Sequence, residues 1–308
     1  MQDFSLLFNT MIVFLAMMTI GYVGARMKVL TKDFSKAANK LVINVFLSAS
    51  VLNSVLGEQP ELSGGQLWHV MLMMSLTMLL CYVVGAAAGR IFRLGGNDRA
   101  VMEMLMNVPN TMFVGLPIVQ ELFGPTAVLY LALSNIPFNV LLYSYGVWRF
   151  TCDKGGGGKF SLKTLFNIPF IATLISLVVF FFHIPIPAVG TKLIGTLAAT
   201  TMPMSMIVIG ATLGSVNLLD AFREKRVYIV ALFRLLVAPV LAWLMLSLLT
   251  NDPILLATGV IIAGCPSGII VTVLSLEYDH NAVFSSKGVL AATSLCMLTL
   301  PLVISVLL

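Results

Sequence analysis

The chain has 308 residues, of which 59% are hydrophobic and only 10% charged, with a mean hydropathy of +1.00. Soluble domains carry about 25% charged residues, so a soluble enzyme or binding module is excluded and an integral membrane protein is expected. The net charge of +5 is spread over short connections instead of forming a basic patch, which argues against a nucleic-acid partner.

A membrane-spanning helix needs about 20 apolar residues. Ten such stretches follow in order: 5–25, 38–57, 67–89, 100–121, 126–148, 164–183, 188–214, 226–249, 253–276 and 283–307. The first has no basic residue before it and no small-residue cleavage site, so a retained helix is expected and not a signal peptide. Basic residues mark the odd connections: Arg26, Lys28, Lys32, Lys36 and Lys40; Arg90, Arg93 and Arg99; Arg149, Lys154, Lys159 and Lys163; Arg223, Lys225 and Arg226; Lys287. Those are 16 of the 18 Lys and Arg residues. The positive-inside rule places these connections in the cytoplasm and both termini outside the cell, in the cytoplasmic membrane.

Five spans per half is an odd number, so the second half must insert upside down relative to the first. The expected fold is all-α, with two inverted five-helix repeats at 1–150 and 164–308. A cytoplasmic glycine-rich linker at 151–163, with Gly155 to Gly158, joins them. This polyglycine lacks the Gly-Lys-Ser/Thr ending of a phosphate-binding loop.

Two apolar stretches are broken near their midpoints. One reads Asn107-Val108-Pro109-Asn110-Thr111, and the other Gly264-Cys265-Pro266-Ser267-Gly268. Their prolines are 157 residues apart, at matched places in the two halves. A proline inside a helix costs roughly 3 kcal/mol, and in lipid the freed backbone groups find no water. Two such costs at matched positions point to an inverted-repeat transporter with its substrate between the breaks. A new half-helix starts after each proline, with unpaired N–H groups and a positive dipole end. Asn110 or Thr111, and Ser267, are suited to cap these starts. Convergence of the two ends suits an anion. Pro137, Pro169, Pro203, Pro239 and Pro301 lack this pattern and read as packing kinks.

The run Val108-Pro109-Asn110-Thr111-Met112-Phe113-Val114-Gly115-Leu116-Pro117, with Phe123-Gly124 after it, closely resembles the fourth helix of the auxin efflux carrier family, which includes the plant PIN proteins. Pro266-Ser267-Gly268-Ile269-Ile270, followed by Glu277-Tyr278, resembles its ninth helix. Pro203-Met204-Ser205 with Gly210-Ala211-Thr212-Leu213 resembles the seventh, and Phe233-Arg234 with Pro239 the eighth. The likeness covers nearly the whole chain. It implies ten helices with helices 4 and 9 broken and crossing. It also implies an elevator movement of helices 3–5 and 8–10 against a scaffold of helices 1, 2, 6 and 7, and a homodimer. The long cytoplasmic loop of many plant members is absent, as in bacterial or archaeal members, whose bacterial relatives are linked to dicarboxylates such as malonate and malate. Relatives usually have a proline in the second helix where this chain reads Leu47-Ser48-Ala49-Ser50, which weakens the carry-over at that wall.

The expected substrate-binding residues are Asn107, Pro109, Asn110, Thr111, Ser134, Asn139, Pro266, Ser267 and Gly268. Ser134 and Asn139 enter through the resemblance. Asn135 lies beside Ser134 and one turn from Asn139; helix–helix hydrogen bonding is the competing reading for these polar groups. Ser48 and Ser50 are weaker candidates. Glu121, Arg234 and Glu277 are candidate gates or coupling groups. Glu121 and Glu277 lie twelve and eleven residues after their prolines, where capping and solvation compete with that role. Arg234 is two turns from Arg226, so a guanidinium snorkelling to the interface is the first expectation, and pairing with an acid or substrate the second. Glu103 is expected to favour the start of its helix.

No cofactor or metal is expected, because no cysteine pair has ligand spacing. No acid lies within a turn of either break, which argues against the buried-aspartate chemistry of cation antiporters. His69, His183 and His280 all fall at span ends and no Gly-x-Ser-x-Gly occurs, so an intramembrane hydrolase is not expected. A channel or sensor ranks below transport. The functional expectation is secondary transport of a small organic anion. The alternative is a sodium- or proton-coupled carrier of a neutral or mixed solute.

Overall fold

The computed structural model describes residues 4–56, 64–92, 96–152 and 167–308. Most of the expected glycine-rich linker, 153–163, lies outside the described residues, as does Arg93. The described chain is almost wholly helical. Among the described residues, five helical runs are long and apolar enough to cross a membrane: Gly64–Ile91, Thr111–Thr151, Ala188–Gly214, Arg226–Leu249 and Ala282–Leu307. Ile12–Arg26, Ile168–Phe182 and Pro253–Gly264 are shorter apolar helices. These features make the chain a multi-pass membrane protein.

Thr111–Thr151 is not one rod. Gly124 has φ 72° and ψ −160°, a conformation that is essentially confined to glycine, and Pro125 after it offers no N–H to continue the helix. The Phe123-Gly124 pair therefore breaks the run where the sequence separates its fourth and fifth apolar stretches. Among the described residues, π-helical turns occur at Val42–Leu47, Thr111–Gly115, Leu142–Gly146 and Phe233–Val237.

The chain divides into two compact units. The first comprises Met1–Met71, Met112–Leu133 and Phe166–Val216. Its main contact runs between helices Phe4–Arg26 and Thr201–Gly214. Their backbones nearly touch, since a Cβ on Gly210 would lie 2.0 Å from the Met18 carbonyl oxygen. A buried polar seam closes the rest. Ser50 and Thr201 hydroxyls are 2.7 Å apart, Thr201 donates to the Phe46 carbonyl, and Ser176 donates to that of Val51. Ser50 thus makes helix–helix bonds, while Ser48 bonds back to Ile43 across the π turn. No proline stands in this second apolar stretch; the π turn Val42–Leu47 supplies its irregularity.

The second unit comprises Leu72–Thr111, Ser134–Leu165 and Asn217–Leu308. Its core packs Val101, Met102, Met104, Leu105 and Val108 against Phe150, Val230, Val271 and Phe284. At one end Arg226 joins Asp98 and Glu224 and stacks over the Phe284 ring at 4.2 Å. Chiefly through its hydrogen bond, the Arg226 guanidinium holds the Glu224 carboxyl below its usual range. Asn281 caps helix Ala282–Leu307 and donates to Asp98, while the buried His280 ring meets the Phe150 carbonyl at 2.7 Å. The two broken stretches, 107–111 and 264–268, both lie in this unit.

Candidate functional site

Helix Gly96–Asn107 ends at Val108, and helix Pro253–Gly264 ends at Cys265. Each is followed by a short extended segment, and the two segments meet. Pro109 and Ser267 face each other as an antiparallel β-bridge. The Asn110 N–H donates to the Pro266 carbonyl at 2.7 Å, and the Gly268 N–H donates to the Val108 carbonyl at 2.9 Å. Two N–H groups expected to be open at the half-helix starts are therefore consumed by the opposite segment.

The missing proline donors dictate what comes next. In an uninterrupted helix, residue 109 would donate to the carbonyl of 105, and residue 266 to that of 262. Proline has no N–H, so Leu105 and Ile262 lose those partners. Side chains replace them. Ser267 Oγ donates to the Leu105 oxygen at 2.6 Å. Arg234 Nη2 donates to the Ile262 oxygen at 3.1 Å. The same guanidinium donates through Nη1 to Met106 at 3.0 Å and through Nε to Cys265 at 2.8 Å. Arg234 thus clamps the last carbonyls of both first half-helices. A buried carbonyl without a donor would cost about 1–3 kcal/mol, a cost that Ser267 spares Leu105; Ile262 also accepts from the Cys265 N–H at 3.3 Å.

This geometry corrects two expectations. Arg234 does not snorkel: it is fully buried, seated in the π turn Phe233–Val237. Ser267 is not an N-cap. Helix Ile270–Glu277 starts after Ile269 with no side-chain cap, and the Ser267 hydroxyl is committed to Leu105.

Other candidates take distinct places. Asn107 is fully buried, and in the orientation that satisfies its carboxamide it donates to the Cys81 and Glu103 carbonyls at 3.1 Å each. Thr111 is buried at the start of its π turn. Asn110 differs from both. It is half-buried, and its carboxamide has no partner among the described residues. Pro109, Pro266 and Gly268 form the paired backbone itself. Ser134, Asn135 and Asn139 are buried on helix Leu116–Leu141, where Asn139 donates back to the Asn135 carbonyl at 2.7 Å. Glu121 and Glu277 are exposed.

Glu103 does more than favour its helix. It is buried between two arginines, with Arg99 Nε at 2.8 Å and Arg149 Nε at 2.6 Å. Arg149 is itself nearly buried. The Arg99 pairing has helical i,i+4 spacing and was readable from sequence; the Arg149 partner lies 46 residues away and was not. Tyr82 was also missed. Its hydroxyl is buried without a hydrogen-bond partner among the described residues, and its ring meets Tyr145 edge-on at 5.3 Å.

The sequence model of the membrane transport protein family matches residues 6–157 and 156–304. An uncharacterized transporter of Methanothermobacter thermautotrophicus is 23% identical over 301 residues, 96% of each chain. The uncharacterized transporter YfdV of Escherichia coli K12 is 21% identical over 213 residues, 65% of this chain and 67% of its own. The extent of these matches agrees with the paired proline breaks: the chain belongs to the membrane transport protein family, the auxin efflux carrier family that its fourth-helix motif resembles.

Proposed function

We propose that this protein is a secondary transporter of a small organic anion, a carboxylate or dicarboxylate of auxin-like or malonate- and malate-like chemistry. It works in the cytoplasmic membrane with both termini outside. Its ten spans form two inverted repeats, it assembles as a homodimer, and access alternates by an elevator-type movement. Substrate binds at the paired breaks.

The observation that carries this reading is the state of Asn110. The break has committed nearly all of its polar groups: the N–H groups of Asn110 and Gly268, the Ser267 hydroxyl and the Arg234 guanidinium all have partners. The Asn110 carboxamide is half-buried and uncommitted, with two donors and an acceptor to offer a ligand. A carboxylate accepts such donors and is further favoured by the positive ends of the half-helices that begin beside it.

The test uses proteoliposomes holding purified protein. Electrical currents are recorded on addition of mono- and dicarboxylates, with and without sodium or a pH gradient. A saturable current or radiotracer flux for a carboxylate, lost in Asn110→Ala, is expected. Flux of a neutral solute with no response to any carboxylate would overturn the anion reading.

A further inference from the structure

We infer that Arg234 is a specificity-determining residue that makes the paired breaks attract anions through its field, without touching the substrate. The inference rests on the proposed site at Asn110 and adds how its charge preference arises. Two broken helices create four helix ends. Each end of a first half-helix carries roughly −0.5 charge from its orphan carbonyls, and each start of a second half-helix roughly +0.5. The four sum to about zero, so the breaks alone bring the crossing no net charge. Arg234 changes the sum. Its guanidinium lies on the carbonyls of Met106, Ile262 and Cys265, which belong to both negative ends. No carboxylate is paired with it among the described residues, and it is fully buried. The guanidinium keeps its charge in protein interiors. With the negative ends offset, the two positive starts at Thr111 and Ile270 are left unopposed, and the crossing carries about one net positive charge in a medium of low dielectric. Asn110, next to Pro109 in the pairing, is the accessible group that samples this field.

A charge-sensing thiol tests this without knowledge of the substrate. The probe is an Asn110→Cys variant carrying Cys152→Ser, since Cys81, Cys265 and Cys296 are buried and Cys152 is not. The rates of modification by anionic methanethiosulfonate ethylsulfonate and by its cationic trimethylammonium-ethyl counterpart are measured, and their ratio is compared with that for free 2-mercaptoethanol. The ratio is expected to favour the anionic reagent by roughly tenfold or more over the free thiol. Arg234→Lys, which keeps the charge but loses the fork of three bonds, should preserve most of this preference. Arg234→Gln should abolish it. A purely structural role predicts that Lys and Gln behave alike, and that result would overturn the inference. So would a parent ratio equal to that of the free thiol, a comparison that needs no folded Arg234 variant. A ratio that follows the charge at position 234, in a protein that carries no carboxylate, would retire the carboxylate reading of the substrate and leave the inference standing.

Discussion

Ser267 Oγ donates to the Leu105 carbonyl, the very acceptor that Pro109 deprives of its helical donor. The serine that follows the second proline thus repairs the damage done by the first, across 162 residues of sequence.

Ser267→Ala is expected to leave the Leu105 oxygen buried and unsatisfied, and to destabilise the protein by about 1–3 kcal/mol. Thermal or denaturant unfolding in detergent measures it. Unchanged stability would mean that water reaches Leu105 and that the serine is free for substrate.

Pro109→Ala supplies an N–H at position 109, which competes with Ser267 for the same carbonyl. The single variant is expected to lose transport because the break heals. Combined with Ser267→Ala, it should recover most of the stability that the serine change alone removes. A double-mutant cycle reads this as a coupling of about 0.5–3 kcal/mol; additive effects would break the link between the two residues.

Glu103→Gln removes the carboxylate that two arginines share. Arg149, nearly buried with its Nε at 2.6 Å from Glu103, loses this carboxylate, and losses of about 3–5 kcal/mol accompany the breaking of such a buried pair. Reduced yield of monodisperse protein and a lowered unfolding temperature are expected. If Glu103 instead carried a transported proton, the variant would fold normally and lose only pH-driven flux.

Gly124→Ala isolates a backbone effect. Nothing lies within 4 Å of the added Cβ, so sterics with neighbours play no part. The φ of 72° with ψ of −160° alone should cost about 1–3 kcal/mol, read as a lowered unfolding temperature. An unaltered temperature would show that the break tolerates another conformation.

Much of this was legible in the sequence because it is local. Proline at Pro109 and Pro266 disrupts helices through its own chemistry, so those two breaks could be placed to the residue, whereas Gly124 lay in the gap between the fourth and fifth stretches without being marked as a break. Partners could not. Helical spacing puts Arg234 two turns from Arg226, but it says nothing of the two helix ends packed around it. Snorkelling therefore looked natural, whereas three carbonyls hold the side chain. Ser267 has the composition of an N-cap, and only the antiparallel pairing turns its hydroxyl toward Leu105. The π turns left no signal either, since one extra residue per turn needs no particular side chain.

The pairing of Pro109 with Ser267 also has a mechanical consequence. Prolines in membrane helices are natural hinges, yet these two sit in a short ladder whose rungs are main-chain hydrogen bonds. Bending at either proline would pull the ladder apart and leave its buried main-chain groups to find new partners. The crossing behaves as a welded joint: a displacement of one broken stretch must carry the other with it.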